Sequence, residues 1–390
     1  MSNTKNLRAS EDLLAPVYKF YFNGEYREAL SVLDVITQDF PNDPILFSLG
    51  GDCYVSLKQY ELAIQCYEEA LKLSPKNIKF MSKKIEVLCL CGKIEESLEL
   101  CYEAIMIAPD DSNLYLFQGN IFQELGRPEE SIDSYNKVIK LNPNSADAYC
   151  NMSNSLENLG KFDEAIIYAK KAIQIKPDFS LAFFNLGVAA MQTRSFDLSM
   201  KSFNKAIELQ PNLAKYEHAK ATLLLLFGDF KNGWNLWESR WNLDRLFSPK
   251  LDTNCPVWAG DKNSKLLVWA EQGVGDQIMY GGLIPDLSEI CPDISVQVDP
   301  RIVNLFNRSM GDKCTFYPDN KSLPVKYDKH ISMGSLCKHL RTDEKDFESS
   351  RYGFLKDDKD VTADIKKDLA ALVPKNTKLC GISWRSGNLK

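Results

Sequence analysis

A glycine-containing loop in the C-terminal third of the chain has the residue types of a ligand-binding turn. Residues 271–282 read EQGVGDQIMYGG, between a run typical of a buried strand and a run typical of a helix. Gly273 and Gly275 allow a ligand to approach the backbone closely, and Asp276 falls at or near the N-cap of the expected helix. The G-x-G pair is a weak signal, because the third glycine of a dinucleotide fingerprint and the Lys-Ser/Thr of a P-loop are both missing.

Strand and helix patterns alternate around this loop. Runs typical of strands occupy 265–270, 294–299, 314–317, 329–333 and 378–384, and helical runs extend to about 290 and over 300–310 and 361–373. This alternation predicts a parallel, doubly wound sheet. Ligands of such sheets bind outside the carboxyl ends of the strands, where the 271–276 loop, Gly334 and Ser335 are expected. Ser335 is equally suited to a helix N-cap, and Glu271 to a strand end hydrogen-bonded to the loop.

The N-terminal part of the chain, up to residue 247, carries an internal repeat. A proline recurs every 34 residues, at Pro41, Pro75, Pro109, Pro143, Pro177 and Pro211. A small residue lies twelve positions before each proline, and a glycine lies seventeen before four of them, with Lys58 and Arg194 as exceptions. Small residues let two helices approach closely, glycine supplies the positive φ of a turn, and proline stops the second helix. The pattern predicts helix–turn–helix units. A seventh, over about 214–247, has Arg245 in place of the proline, which fits an end repeat.

A period of about 34 residues with this pattern resembles the tetratricopeptide repeat (TPR). The resemblance implies a right-handed superhelix whose concave face is lined by the first helix of each pair. Asn151 and Asn185 occupy the sixth position of their repeats, and Asn120 and Asn154 occupy the ninth. By resemblance to the asparagine ladder of protein O-GlcNAc transferases, these side chains are expected to bind an extended peptide. The alternative is that they are satisfied locally. A protein or peptide partner on the concave face is expected in either case.

Composition excludes several classes of protein. The 390 residues predict two or three domains, and 47 basic against 53 acidic residues leave a net charge of −6. Because the chain has no basic stripe, no nucleic-acid partner is expected. Eleven cysteines, an odd number without a C-x-x-C pair, indicate reduced thiols and a cytoplasmic protein. The N-terminus lacks a signal-peptide pattern, and the longest apolar run, Leu223–Phe227, is far shorter than the roughly 20 residues of a membrane span.

The C-terminal motifs carry a second resemblance. They are GDFKNGWNLWESRW (228–241), PVWAG (256–260), WAEQGVGDQIMYGGLIPDL (269–287), VDPRIVNLFNRS (298–309), HISMGSL (330–336) and GISWRSGN (381–388). In this order they resemble bacterial TPR-linked glycosyltransferase-like proteins, which are related to heptosyltransferases and O-GlcNAc transferases. The resemblance covers essentially the whole chain. It implies a two-Rossmann (GT-B) fold, in which the first Rossmann domain holds the acceptor and the second holds a nucleotide-sugar.

The same resemblance assigns roles to residues. Asp276 matches the aspartate that acts as catalytic base in heptosyltransferases, where it deprotonates an acceptor hydroxyl that attacks the anomeric carbon with inversion. The alternative is a structural N-cap. The expected substrate-binding residues are Glu271, Gln272, Gly273, Gly275, Gly334, Ser335, Trp384, Arg385 and Ser386, with the last three directed at the donor diphosphate. No cofactor or metal is expected. His330 and His339 lack metal-ligand spacing, and His339 is read as a helix-surface residue.

The expected fold is an α solenoid followed by an α/β Rossmann-like domain, the N-terminal half of a GT-B fold. The expected organisation is a tail over 1–9, a TPR array over 10–247, a linker over 248–264, a Rossmann-like domain over 265–377, and the start of a second Rossmann domain over 378–390. A second domain of normal size needs roughly 150 further residues, so this chain alone is not expected to turn over a nucleotide-sugar.

Three functions remain open at this point. The chain is a portion of a TPR-linked glycosyltransferase whose array binds protein or peptide partners, or it is a non-catalytic TPR scaffold. In the third hypothesis, the α/β part binds a small nucleotide for regulation.

Overall fold

The computed structural model describes residues 8–243, 250–271, 273–320, 325–348 and 354–372. Gln272, Trp384, Arg385, Ser386 and the strand expected over 378–384 lie outside the described residues. The chain divides into two compact units, Met1–Ala219 and Lys220–Lys390. The two units are described separately below.

Pairs of antiparallel helices follow one another from the N-terminus. Their bounds are α1 Glu11–Phe22, α2 Tyr26–Asp39, α3 Pro44–Ser56, α4 Tyr60–Leu73, α5 Ile78–Leu90, α6 Ile94–Ile107, α7 Ser112–Glu124, α8 Pro128–Leu141, α9 Ala146–Asn158, α10 Phe162–Ile175, α11 Ser180–Gln192, α12 Phe196–Leu209, α13 Ala214–Leu226 and α14 Phe230–Trp237. The second helix of each pair begins at the same position of its repeat. The predicted helical solenoid is therefore confirmed. The boundary between the two units falls within α13.

The turn and stop signals of the repeat act as the sequence predicts. Gly24 and Gly92 have φ values of 80° and 78° in the turns between paired helices, and Lys58 and Arg194 adopt 59° and 58° at the same position. The two exceptions to the glycine rule thus keep the left-handed backbone, although it costs a non-glycine residue free energy. The second helices α2, α4, α6, α8, α10 and α12 each end two residues before the repeat's proline.

Helix packing inside the repeats alternates from one repeat to the next. In every second repeat a buried aromatic ring from the second helix lies on a glycine of the first. A Cβ atom added to the glycine would lie 2.5 Å from the Tyr67 ring at Gly51, 2.4 Å from the Tyr135 ring at Gly119 and 2.6 Å from the Phe203 ring at Gly187. In the repeats between them, Cys101 and Ala169 occupy the position of the ring. The true period of the packing is therefore two repeats.

The first helices form a continuous layer within the first unit. Helix α5 contacts α7, α7 contacts α9, and α9 contacts α11, in addition to the contacts inside each pair. Side chains on the outward face of this layer therefore lie next to one another from repeat to repeat. Within the described residues, no helix combines the length and the apolar character that crossing a bilayer requires.

The second unit contains a small parallel sheet. Its strands are β1 Leu266–Trp269, β2 Ile294–Val298, β3 Thr315–Pro318 and β4 Lys329–Ser332. The order is β3-β2-β1-β4, and every neighbouring pair is parallel. The helices of this unit are α15 Val274–Gly281, α16 Ile284–Ile290, α17 Val303–Met310, α18 Cys337–Leu340, α19 Lys345–Glu348 and α20 Lys359–Leu372. The parallel sheet predicted from these four runs is confirmed.

The helix expected to reach about residue 290 is broken into α15 and α16. Pro285 explains the break, because it cannot donate the backbone hydrogen bond that a continuous helix would need. Just before the break, Gly281 packs so closely on Phe306 that a Cβ atom there would approach the ring to 2.7 Å, so no larger residue fits.

Residues 256–258, within the expected linker, extend the sheet at β4. The Trp258 amide donates to the His330 carbonyl at 2.8 Å, and the His330 amide donates to the Pro256 carbonyl at 3.1 Å. Trp258 is 1% exposed and packs with β1 and β4 residues in the core of the unit. This part of the chain is therefore structural, and it covers an edge that would otherwise expose unpaired backbone groups.

The adjacent glycines of α3 provide a matched test of the ring-on-glycine packing. Gly51→Ala should destabilise the first unit by about 1–3 kcal/mol, because the new methyl group overpacks against Tyr67. At Gly50 the added Cβ would lie 3.6 Å from Cys66 Sγ, an ordinary contact. Gly50→Ala should therefore be neutral or stabilise by up to about 1 kcal/mol through helix propensity. Urea unfolding followed by circular dichroism measures both, and equal effects of the two variants would contradict this packing.

Candidate functional site

The loop between β1 and α15 lies at the carboxyl end of β1, as predicted. Helix α15 has Gly273 as its N-cap, and Asp276 is the third helical residue rather than the cap. The Asp276 carboxylate accepts a hydrogen bond from the Gly273 amide at 3.3 Å, and Asp276 is half-buried. Gly273 and Gly275 are exposed, and a Cβ atom at Gly275 would meet no atom within 4 Å. The backbone here is open to an approaching ligand.

Glu271 is part of a buried ion pair. Its carboxylate accepts two hydrogen bonds from Arg240, at 3.1 Å from Nε and 2.9 Å from Nη2, and a third from the Gly334 amide at 2.8 Å. Glu271 is 2% exposed and Arg240 5%. Of the two roles considered for Glu271, substrate contact and an internal hydrogen bond at the strand end, this geometry matches the second.

Ser335 and Gly334 belong to the same network. Ser335 Oγ accepts from Arg240 Nη2 at 2.8 Å and donates to Glu238 Oε1 at 2.8 Å. A Cβ atom at Gly334 would lie 2.3 Å from the Glu271 carboxylate, so no larger residue fits there. Both residues are buried, and both were expected to contact substrate. In the described structure they contact Glu271 and Arg240 instead.

Arg240 is the central residue of this network, and sequence reasoning missed it. It lies in the 3-10 turn Glu238–Asn242 after α14 and binds Glu271, Glu238 and Ser335 together. Burial lowers the pKa of Arg240, while the hydrogen bonds and charges of Glu271 and Glu238 raise it, and the net shift is upward. Its position inside the motif GWNLWESRW was the available signal, but no pattern in the sequence pairs it with Glu271.

The two histidines have local structural contacts. His330 Nδ1 accepts a hydrogen bond from Trp269 Nε1 at 3.1 Å, and burial lowers the pKa of His330. His339, expected on a helix surface, is half-buried with its ring centroid 4.9 Å from that of Trp258. Across the described ranges, no three His, Cys, Asp or Glu side chains meet as metal ligands.

Two of the four asparagines of the array are bonded to each other across adjacent repeats. Asn151 Nδ2 on α9 donates to Asn120 Oδ1 on α7 at 2.9 Å, and the Tyr135 hydroxyl donates to the same oxygen at 2.8 Å. Both amides are half-buried. The Asn120 Oδ1 atom therefore accepts two hydrogen bonds, and the side-chain NH₂ group of Asn120 points away from these two donors. The side-chain oxygen of Asn151 takes no part in the bond between the two asparagines.

The same three positions recur two repeats earlier with charged residues. The Tyr67 hydroxyl donates to Asp52 Oδ1 at 2.7 Å, and Lys83 Nζ donates to Asp52 Oδ2 at 2.5 Å. Position by position, Asp52 corresponds to Asn120, and Lys83 corresponds to Asn151. The layer of first helices thus carries a neutral amide pair in its middle and an ion pair nearer the N-terminus.

The other two asparagines are placed differently. Asn154 Oδ1 accepts a bond from Gln123 Nε2 at 3.3 Å and is half-buried. Asn185 is 3% exposed, and its amide donates to the Cys150 carbonyl at 3.1 Å. Of the two roles considered for Asn185, a peptide contact and a local hydrogen bond, this geometry matches the second. Asn185 stabilises the contact between α9 and α11, because the sixth position of this repeat faces the interface between the two helices.

The buried ion pair predicts a large effect on stability. Arg240→Met should destabilise the second unit by about 3–5 kcal/mol, since it leaves the Glu271 carboxylate buried without its cation. Arg301 is exposed and pairs with the half-buried Asp299, and Arg301→Met is the matched control, which should change stability by no more than about 1 kcal/mol. Hydrogen exchange of the β1 and β4 peptides in the full chain measures both. Equal protection in Arg240→Met and the wild type would contradict the assignment.

Comparisons with known proteins concern the repeats. Residues 119–160 match a family model described as TPR repeat, and 51–77, 146–179 and 181–213 match models described as tetratricopeptide repeat. The chain is 28% identical over 193 residues to Protein FlbA of Caulobacter vibrioides, which covers 45% of this chain and 32% of FlbA. It is 32% identical over 84 residues to anaphase-promoting complex subunit 3 of Schizosaccharomyces pombe, covering 22% of this chain and 13% of that protein.

One solved structure shows the same fold over a larger share of the chain. A tetratricopeptide repeat protein from Parabacteroides merdae is 16% identical with a TM-score of 0.52, and covers 58% of this chain and 90% of that one. The chain spans about a third or less of the length of the curated relatives it matches. The matched segments and the regularly repeating helical pairs together show that the chain contains tetratricopeptide repeats.

Proposed function

We propose that the first unit binds an extended peptide segment of a partner protein along its layer of first helices. The observation that carries the proposal is the bond between Asn120 and Asn151. It leaves an amide donor and a carbonyl acceptor side by side in adjacent repeats, which is the pairing that a backbone peptide group needs. The Schizosaccharomyces pombe relative, named as a subunit of a complex, supports a role in protein assembly.

This proposal is tested with a phage-displayed library of random peptides selected on the full chain. Asn151→Ala should weaken selected peptides about 3- to 10-fold, because it removes a hydrogen bond worth about 0.5–1.5 kcal/mol. The matched control is Asn204→Ala, an exposed asparagine on the second helix α12. Binding unaffected by Asn120→Ala and Asn151→Ala, or the enrichment of no peptide, would overturn the proposal.

A second candidate function concerns the second unit. We propose that it is the acceptor half of an inverting glycosyltransferase, as the C-terminal motifs suggest. The strand order β3-β2-β1-β4 matches the first strands of the nucleotide-binding Rossmann fold and reverses beside β1. In support, Asp276 stands at the N-terminus of α15 after β1, next to open space at Gly275. Asp276 would accept the proton of the attacking hydroxyl. The sugar donor, the acceptor and the contact of residues 384–386 with the donor diphosphate are parts of the same proposal.

Asp276 provides the test of this second candidate. In a protein that joins this chain to a donor-binding domain, Asp276→Asn should lower kcat for sugar transfer by about 10²- to 10⁴-fold with little change in KM, as for loss of a general base. Asp312→Asn serves as a control, because Asp312 is an exposed aspartate of the same unit that follows α17. Transfer that survives Asp276→Asn would overturn the role of Asp276 as the base, whereas no transfer by the joined protein would leave the alternative, a non-catalytic TPR scaffold.

A further inference from the structure

A cavity in the N-terminal repeats differs from the rest of the first-helix layer. Its volume is about 230 Å³, and it is lined by residues of α1, α3, α4 and α5. This is less than the roughly 300–1,000 Å³ typical of small-molecule pockets. The size suits a single side chain of a partner.

Apolar groups provide one wall and the rim of the cavity. Tyr21, Val55 and Leu90 line it, and Leu90 is 52% exposed. Phe22 is 81% exposed and makes an edge contact with the Tyr21 ring at 5.8 Å. Large apolar side chains grouped around one opening mark an interaction site, whereas single exposed ones are ordinary.

The charges in the cavity leave one carboxylate uncompensated. Asp52 is bonded to both Lys83 and Tyr67, so its charge is balanced inside the protein. Glu86 lines the same cavity and is exposed, and no ion pair involves it among the described residues. Burial and then the charges of Asp52 and Glu86 raise the pKa of Tyr67, which places the Glu86 charge close to this cluster.

We infer that this cavity, the Leu90 cavity, receives an apolar side chain of an extended peptide that carries, two residues further along, a lysine or arginine bound to Glu86. The inference rests on the proposed peptide-binding function and adds the chemistry of the ligand. An apolar side chain would cover the exposed Leu90 and the half-buried Tyr21. Side chains of an extended chain alternate between its two faces, so the side chains of residues i and i+2 lie on the same face, about 7 Å apart. The second residue after the apolar one therefore reaches the rim of the same cavity, and an acidic residue there would be repelled by Glu86.

Three fluorescein-labelled Gly/Ser decapeptides test this inference, with Leu-Gly-Lys (the Leu-Lys peptide), Leu-Gly-Glu (the Leu-Glu peptide) or Ser-Gly-Lys (the Ser-Lys peptide) at their centre. Fluorescence anisotropy with the full chain at low salt should show the Leu-Lys peptide binding at least about 10-fold more tightly than either of the others. Added salt should weaken the Leu-Lys complex. Failure of the Leu-Lys peptide to bind, or equal binding of all three, would overturn the inference.

Two exposed substitutions separate the parts of the cavity. Glu86→Gln should reduce the preference for Leu-Lys over Leu-Glu to less than about 3-fold, and Leu90→Ser should abolish the preference over Ser-Lys. Glu96→Gln, on the exposed face of the second helix α6, is the matched charge control and should change nothing. A lysine preference that persists in Glu86→Gln would overturn the inference.

The outcome also distinguishes this inference from the function on which it rests. If phage-selected peptides bind in a manner that depends on Asn151, and the three decapeptides are not discriminated, the peptide-binding function stands and the Leu90 cavity is not its specificity site. If neither peptide set binds, both proposals fail.

Discussion

The second unit depends on the bond between Arg240 and Glu271, because each of these charges is tolerable in the interior only in the presence of the other. The network around this pair joins three segments: Arg240 lies in the turn after α14, Glu271 in the loop after β1, and Gly334 and Ser335 in the turn after β4. By its sequence, the turn that holds Arg240 continues the seventh repeat. By its contacts it belongs to the α/β unit, since it supplies the cation that holds two ends of the parallel strands together.

Local and periodic features of this chain could be predicted from the sequence, and long-range polar pairing could not. The regular spacing of the prolines predicted the helices, and apolar runs bounded by turns predicted four strands. Arg240 and Glu271 are 31 residues apart, and Arg240 and Ser335 are 95 apart, so no periodic pattern connects them. Burial of Asn185 was missed for a related reason, because its repeat position indicates which helix it is on but not how that helix is rotated.

Polar side chains on the first helices act in the array in two different ways. Asp52 and Asn120 each receive a tyrosine hydroxyl from their own repeat and a second donor from the next repeat. These bonds hold the repeats in register, and the same bonds decide which atoms remain available on the surface. In the proposed function, stability and peptide recognition therefore share residues in the middle of the array. At the Leu90 cavity, by contrast, the exposed groups Glu86 and Leu90 lie outside these internal bonds.

The alternation of ring-bearing and ring-free repeats makes two repeats, rather than one, the smallest exchangeable module of this array. If the single repeat over 78–111 were deleted, Phe117 would take the place of Lys83 beside Asp52, and the half-buried Asp52 carboxylate would face an aromatic ring. Loss of two consecutive repeats instead brings Asn151 to the same place, where its amide can still donate to Asp52. Arrays of this type should therefore lengthen and shorten in steps of two repeats, even though their sequence pattern recurs in every one.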